Sequence, residues 1–411
     1  MRERSPAGPT AITGVGCLSG FGSGVAPFEE GIFAGQTTIA RIASFDTGAR
    51  RSHLAGSLAP VDAAAFISPA RLRRIDPIGR LAIVACRLAL QDAGLADPAA
   101  RADLIGVALG SSTSGIHSIV GYLDALNTQG PAGASAMDFS NTVGNAAASL
   151  CAIECSLHGP NATIYYKEAS GLAAVDYAMT LDTGEPASIV TGGVDDFESV
   201  YFAIHDRFRV LAHDDGHGEA SRPFGRHRNG FVAGRGAYLF LLEEREAAAA
   251  RGARIRGQIA GLGATSSVSG INEWPTDPAD LVSCMRQALD AAQVHPREVG
   301  VVFAAANSTT NLDRTEADAL VQVFGPRGVP VVALKGAIGE FGAAGAAGIV
   351  AATAAFRRGR LPPTVGAEDL DPACGVDLTG VGEAPRPLVR PVALVNSVAS
   401  GGANFSVVVT A

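Results

Sequence analysis

Histidine is scarce and unevenly placed in this 411-residue chain: there are eight, and none lies beyond His295. Chemistry that needs an imidazole from the C-terminal part of the chain is therefore excluded. Cysteine is also sparse. Cys17, Cys86, Cys151, Cys155, Cys284 and Cys374 show no CxxC spacing, and in a long chain without a secretion signal such thiols are expected to be reduced. Aromatic residues make up only 6% and charged residues 18%. Net charge is −8, so the basic surface that nucleic-acid binding requires is missing. No long hydrophobic run occurs. The most apolar stretch, GAAGAAGIVAATAAF at 342–356, is too short and too rich in small residues to span a bilayer, and Arg357 and Arg358 follow at once. It reads as a buried helix. The opening MRERSPAGPTAITG carries charge but no apolar signal-peptide core. The expectation is a cytoplasmic protein with no membrane or nucleic-acid partner.

What is present is a hydrophobic content of 47% with 50 glycines, which suits helices packed tightly on sheets. Strand-like runs alternate with helical ones. Strands are expected at 11–18, 104–112, 187–196 and 236–244, the first entering a Gly-rich turn, and a helix over 75–95. The run at 187–196 is continuously apolar, as for a strand buried on both faces. The pattern then restarts: a strand at 254–265, a helix at 278–294, a strand at 299–307, a helix from about Arg314, a strand at 329–336, the Gly/Ala helix, and strands at 391–398 and 404–411. The order of elements suggests two similar halves, 1–252 and 253–411, in one integrated body.

Three features have bland readings that outweigh the functional ones. Gly14 and Gly16 follow a strand like a dinucleotide loop, but the third glycine falls at Gly20 and no acidic residue follows where a ribose would need one, so a tight structural turn is expected. His213 and His217 flank HDDGH but lack further ligands, so a polar surface loop is expected and no metal. Cys151 and Cys155 share a helix face and read as core packing.

The segment GPNATIYYKEASGLAAVDYA (159–178) is different. A β-prone run, Ala162–Tyr166, meets small residues and then a helical pattern, which makes a sharp elbow with Glu168 near its tip. The start of a helix offers free N–H groups and a positive dipole end. That setting suits a thiolate nucleophile and equally a carboxylate. On the residues alone, Glu168 reads as a structural anion capping the helix.

At this point several segments, in the right order, resemble the β-ketoacyl synthases of the thiolase superfamily. They are TAITGVGCLSGFGSGVAPFEEGIFAG, RRIDPIGRLAIVACRLALQDAGL, NTVGNAAASLCAIECSLHGPNATI, SRPFGRHRNGFVAGRGAYLFLLEE, KGAIGEFGAAGAAG and NSVASGGANFSVVV. The resemblance implies the thiolase fold, an α/β architecture of five layers, α-β-α-β-α, with two duplicated halves. It also implies a catalytic set of one cysteine and two histidines, and here the chain departs from the pattern. The cysteine position is Glu168. The first histidine's motif reads AANSTTNLDRTE, with Asp313 and Glu316 kept but Ala305 at the histidine. The second reads KGAIGEFGAAG, one residue short, with Lys335 kept and Glu340 at the histidine. The gatekeeping phenylalanine becomes Ser400.

Without a thiolate there is no acyl-enzyme, and without imidazoles no positioned donor for an enolate. The resemblance therefore implies a catalytically silent chain length factor. Such a subunit forms a heterodimer with an active ketosynthase of a type II polyketide synthase and shapes the polyketide tunnel. Its contact would run through a buried strand around Asn161–Tyr166, and its tunnel determinants would lie on the helix after the GSS turn: Ile116, Ile119, Val120 and Leu123, with Ser400 at the gate. No cofactor is implied beyond the phosphopantetheine of a partner acyl carrier protein, docked mainly on the ketosynthase. NTVGNAAAS and YYKEASG look nearer to ordinary ketosynthases than to aromatic-polyketide factors, which leans toward a polyene product. The alternative is a repurposed enzyme, an isomerase or cyclase or a malonyl-ACP decarboxylase, using Glu168 and Glu340. Like charges at short range would split their pKa values into one acid and one base, unless Lys335 or Lys167 neutralises the pair.

Overall fold

The computed structural model describes residues 10–97, 104–181, 188–380 and 383–411. The first nine residues, on which the absence of a leader was argued, and Ala187 of one expected strand lie outside them.

Each half contributes five principal strands. The first half holds β1 (Thr10–Ser19), β2 (Ile105–Gly110), β3 (Asn161–Ile164), β4 (Ser188–Asp195) and β5 (Gly236–Glu244). Their spatial order is β3-β2-β4-β5-β1. The second half holds β6 (Gly257–Ser266), β7 (Val301–Phe303), β8 (Pro330–Val332), β9 (Val392–Val398) and β10 (Ala403–Thr410), in the order β8-β7-β9-β10-β6. Numbered within its own half, each set reads 3-2-4-5-1. In each, the middle three strands by chain order are parallel and the last runs antiparallel to its neighbours. The halves join where β1 meets β6 antiparallel, with Thr10 opposite Ile259. With two short strands, Gly22–Ser23 and Asp377–Leu378, the result is one twelve-stranded sheet. The duplication, visible in the sequence only as an order of elements, is explicit in the strand order.

Helices α1 (Pro77–Asp92), α2 (Ile116–Gln129), α3 (Ala146–Cys155), α4 (Ser170–Thr180), α5 (Ser199–Phe208), α6 (Ala279–Ala291), α7 (Thr310–Phe324) and α8 (Ala344–Arg358) complete the frame around the site. α1 and α3 cover the outer face of the first half-sheet, and α6 and α7 that of the second. α4 and α8 lie between, each touching strands of both halves. This is the five-layer thiolase arrangement. Every residue of α8 from Ala344 to Ala355 is buried, as expected for the Gly/Ala run.

Two local expectations need correction. Gly14 and Gly16 do not form a turn; both lie within β1. A Cβ at Gly14 would sit 2.1 Å from the Ala89 carbonyl oxygen and one at Gly16 1.8 Å from that of Ala85. They are bare so that α1 can lie against the strand. The strands expected at 299–307 and 329–336 hold only three residues each. The first stops because the Ala305 and Ala306 N–H groups turn to the Glu316 carboxylate. The second stops because Lys335–Ile338 closes a helical turn. β3 is the edge strand of its half, with Asn161 exposed and the rest half-buried. Within one chain it is not the buried strand expected.

The elbow depends on one close approach. A Cβ on Gly110, at the end of β2, would lie 2.0 Å from the Ser170 carbonyl oxygen and 2.7 Å from the Gly171 nitrogen. Gly110→Ala should push the first turn of α4 off the strand and cost roughly 1–3 kcal/mol or more, as overpacking does. Urea denaturation of the purified protein, alone or in complex, checks this by a lowered midpoint.

Candidate functional site

β3 ends at Ile164, and Lys167 turns the chain with its backbone in the left-handed region, φ 47°. A non-glycine residue there costs of order 1 kcal/mol and persists only where the surroundings fix it. Residues Lys167–Ala169 form a 3₁₀ turn and α4 starts at Ser170. Ser170 itself closes the entry: its Oγ accepts from the Tyr166 N–H at 3.0 Å and donates to the Lys167 carbonyl at 2.6 Å. Glu168 therefore does not cap the helix. Its carboxylate points across to the turn between β9 and β10. There Oε2 accepts the Ser400 N–H at 3.0 Å, and the Ser400 hydroxyl lies 3.1 Å from Oε1 and 3.2 Å from Oε2. The Lys167 ammonium donates to Ser400 Oγ at 3.2 Å, to Asn272 Oδ1 at 3.1 Å and to the Ile271 carbonyl. Glu168 is buried and occupies the Ser400 N–H. A substrate oxyanion would find that donor already engaged.

The second carboxylate is Glu340. Its Oε2 receives Lys335 Nζ at 2.6 Å and Asn307 Nδ2 at 2.8 Å, while its Oε1 is buried with no hydrogen-bond partner. Burial pushes the Glu340 carboxyl up to about 7; Lys335 opposes the rise and the Glu168 charge adds to it. The structure thus brings Glu168 and Glu340 within electrostatic reach of each other, and it gives each its own partners: Ser400 to one, Lys335 to the other. Ala305 is fully buried and offers only backbone, its N–H to Glu316 Oε1 (2.9 Å) and its carbonyl to Lys335 Nζ (2.7 Å). Asp313 and Glu316 fold the 304–309 loop. Asp313 accepts the N–H groups of Phe224 (2.7 Å), Asn307 (2.9 Å) and Ser308 (3.1 Å). Glu316 also accepts the Ala306 N–H at 2.7 Å and Asn396 Nδ2 at 2.9 Å.

Three residues that sequence reasoning did not single out face the same site. Asp195, at the end of β4, gathers the 111–113 turn on one oxygen, accepting from Ser111 Oγ at 2.9 Å, Ser112 N at 2.7 Å and Thr113 Oγ1 at 2.8 Å. Burial raises its carboxyl to about 6, against these bonds. From α5 come Tyr201 and His205, with ring centroids 4.1 Å apart and planes tilted by 37°. Burial pushes the Tyr201 phenol well up, and the charges of Glu168, Asp195 and Glu340 add to it. Burial lowers His205, which also senses Glu168 and Lys167. An imidazole therefore does stand near the elbow, although none follows His295. Its Nδ1 lies 2.8 Å from the Tyr201 carbonyl. A carbonyl only accepts, so that nitrogen carries the proton, and neutral His205 presents Nε2 as an acceptor. It is no donor for an enolate. The aromatic spacing VYFAIH was the one available signal, and it reads as an ordinary amphipathic helix.

The expected tunnel helix is α2. Ile116, Ile119 and Val120 are half-buried and Leu123 is exposed. Ser400 is buried and bonded to Glu168. The six cysteines are all free and buried, with Cys151 and Cys155 in the core of the first half. His213 and His217 sit in a loop where Asp214 accepts from the Gly216 and Gly218 N–H groups. Among the described residues no group of three metal-ligating side chains occurs, and no helix is long and apolar enough to cross a membrane.

Residues 7–248 match the β-ketoacyl synthase N-terminal domain and residues 256–368 the C-terminal domain. The chain belongs to the β-ketoacyl synthase family. It is 30% identical to the 3-oxoacyl-[acyl-carrier-protein] synthase 2 of Synechocystis sp., over 96% of each chain. It is 31% identical to the granaticin polyketide putative beta-ketoacyl synthase 1 of Streptomyces violaceoruber, over 96% of this chain and 95% of that protein. Among solved structures it is similar to the ishigamide ketosynthase/chain length factor, with a TM-score of 0.90 and 26% identity over 98% and 99% of the two chains. Within this fold, Asp313, Glu316 and Lys335 hold the 304–309 loop and its neighbours, and Glu168, Ala305 and Glu340 lie around them.

The Lys335–Glu340 pair should be costly to break and cheap to remove whole. Lys335→Met should destabilise by roughly 3–5 kcal/mol, whereas Lys335→Met with Glu340→Leu should recover most of that loss. Glu340 titrates higher folded than unfolded, so its contribution is fully present below about pH 4.5 and is lost as pH rises through about 7. Glu340→Gln should flatten the fall in stability across that window. Denaturant melts at stepped pH measure both effects.

Proposed function

We propose that this chain is a non-condensing subunit of the chain length factor type, which pairs with an active ketosynthase in a type II polyketide synthase. The observation that carries the reading is the occupant of the elbow. A carboxylate replaces the thiol, and it is already bonded to the Ser400 N–H that a reacting acyl group would need. A carboxylate held by two Ser400 donors is a poor nucleophile. The former imidazole positions hold a buried methyl group at Ala305 and a lysine-paired carboxylate at Glu340. Condensation must then come from a partner, and the acyl carrier protein delivers its phosphopantetheine mainly there.

The surface around the edge strand supports such a partner. Leu123, Met137, Phe139, Val143, Ile153, Tyr165 and Tyr166 are each between 44% and 61% exposed. They cluster in chain order around β3 and α2, and β3 has an open edge. Large exposed apolar patches and free strand edges mark interfaces. In this reading β3 pairs with its equivalent in the ketosynthase, and α2 contributes Ile116, Ile119, Val120 and Leu123 to the tunnel, with Ser400 at its gate. The character of the NTVGNAAAS and YYKEASG segments supports a reducing, polyene-type product.

One observation favours the second reading, an acid/base enzyme. Glu340 Oε1 is buried without a partner, and its carboxyl titrates near neutrality. The two readings separate cleanly by experiment. Expressed with its ketosynthase, the chain should give a one-to-one complex by native mass spectrometry and behave poorly alone. A well-behaved homodimer that ignores the ketosynthase would overturn the proposal. Glu168→Cys should restore no condensation, because Ala305 and Glu340 supply no imidazole; radiolabelled malonyl-ACP turnover tests this. Within the complex, Ile119→Trp should shorten the product and Ile119→Ala lengthen it, read by mass spectrometry. Equal lengths would remove Ile119 from the tunnel.

A further inference from the structure

The first turn of α2 is tied down by charge, and the rest of the helix by little. None of its residues from Ile116 to Gln129 is buried. Ile116 packs on the core of the first half. Ser118 donates from its N–H and hydroxyl to Asp76 Oδ2 at 3.2 and 2.9 Å. Between them, His117 stands at the meeting of two carboxylates. Its Nδ1 lies 2.8 Å from Glu198 Oε1 and its Nε2 3.3 Å from Asp196 Oδ2. The Nε2 contact is an ion pair without hydrogen-bond geometry. A neutral imidazole carries one N–H, which on Nδ1 serves Glu198; the second carboxylate, Asp196 3.3 Å from Nε2, favours a second proton there.

The carboxylates are fixed to the body of the chain. Asp196 Oδ1 accepts the Phe197 N–H at 2.8 Å and meets Arg235 at 3.1 Å, whose guanidinium lies over the Phe197 ring. Glu198 accepts the Ser199 N–H at 2.9 Å. Asp76, the third carboxylate near His117, caps α1 through the Ile78 N–H. The groups that face His117 are thus Asp196 and Glu198 from the β4–α5 connection and Asp76 from the start of α1, with Arg235 behind Asp196. Arg80 lines the same cleft as Asp196.

We propose that His117, as an imidazolium, is the positioning residue that pins α2 to the chain, so that the reach of the tunnel depends on its charge. The functional half of this inference rests on the tunnel reading of α2 above. Burial alone would lower the His117 pKa; Asp196 first, then Glu198 and Asp76, outweigh it and raise it above 6.5. The pin is complete below the ordinary imidazole value and is lost as pH rises through the raised one.

Hydrogen exchange of the 116–129 segment in the ketosynthase complex tests the pin, at about pH 6 and about pH 8.5 and corrected for intrinsic exchange. Wild-type protection should fall several-fold at the higher pH. His117→Arg should stay protected at both, and His117→Gln should be weakly protected at both while segments outside α2 keep their protection. Equal wild-type protection at both pH values, matched by His117→Gln, overturns the pin. Product lengths from the same samples should broaden with pH in wild type and not in His117→Arg. If protection shifts as stated and lengths stay fixed, the pin stands and the tunnel reading of α2 fails.

Discussion

Backbone hydrogen bonds join the two halves where the site forms: the Gly171 N–H donates to the Gly342 carbonyl at 2.8 Å, and the Glu340 backbone bonds Val232 and Gly234 at 2.8 Å each. The approach is tight at both residues, and at Gly342 it leaves no room for a Cβ. A Cβ on Gly342 would lie 2.6 Å from Asp195 Oδ2 and 2.7 Å from the Lys167 carbonyl, and one on Gly171 would press on the Gly342 carbonyl at 3.1 Å. The entry of α4 and the entry of α8 are thereby held side by side. Glu168 precedes one glycine by three residues and Glu340 precedes the other by two, so the meeting of the two carboxylates follows from the packing of the middle layer. Small residues carry that packing further along. A Cβ on Gly193 would meet Ala343 Cα at 2.7 Å, and one on Gly345 would meet Leu172 Cγ at 2.8 Å.

Two carboxylates this close, out of water, would cost several kcal/mol each if left alone. The structure answers the two charges differently. Glu340 is met by a full positive charge, Lys335, in an enclosed pair. Glu168 is met by an N–H and a hydroxyl from Ser400, with the Lys167 charge one atom further out. The second arrangement also joins three segments: the elbow, the β9–β10 turn and the loop at Ile271–Asn272. A residue at the tip of an elbow that fastens three segments is engaged in structure, whatever else it does. The same holds for Ser400, whose hydroxyl supplies a second donor to the carboxylate.

Much of this was legible in the sequence. The alternation of apolar runs located the long strands and α1, α6 and α8, since each has a periodicity that burial enforces. The duplication was visible as an order of elements because both halves solve the same packing problem. The resemblance suggested that Glu168 and Glu340 would lie close but left open whether Lys335 or Lys167 meets them; Lys335 pairs with Glu340, and Lys167 reaches Ser400. Other features depended on contacts across the fold. Nothing local distinguishes a turn glycine from a strand glycine such as Gly14, whose reason is the Ala89 carbonyl of a distant helix. Nothing local indicates that Glu168 passes over its own helix to reach Ser400. Asp195, Tyr201 and His205 enter the site from a strand end and a helix whose spacing looks like ordinary packing. β7 and β8 are shorter than the apolar runs suggest because the Glu316 carboxylate takes the N–H groups after β7 and a helical turn follows β8.

The pattern of what this chain keeps and what it lacks has a physical logic. Asp313, Glu316 and Lys335 are buried charged residues. Each has structural work that is independent of catalysis. Asp313 and Glu316 gather four backbone N–H groups of the 304–309 loop and that of Phe224, and removing either would leave buried donors unsatisfied at about 1–3 kcal/mol each. Lys335 balances Glu340 and holds the Ala305 carbonyl. The position of Ala305 makes no comparable demand, since its backbone alone completes the network and a methyl group fills the space. Retention of these charged residues is therefore no argument for a working active site. The fold needs them to close, whatever chemistry the elbow does.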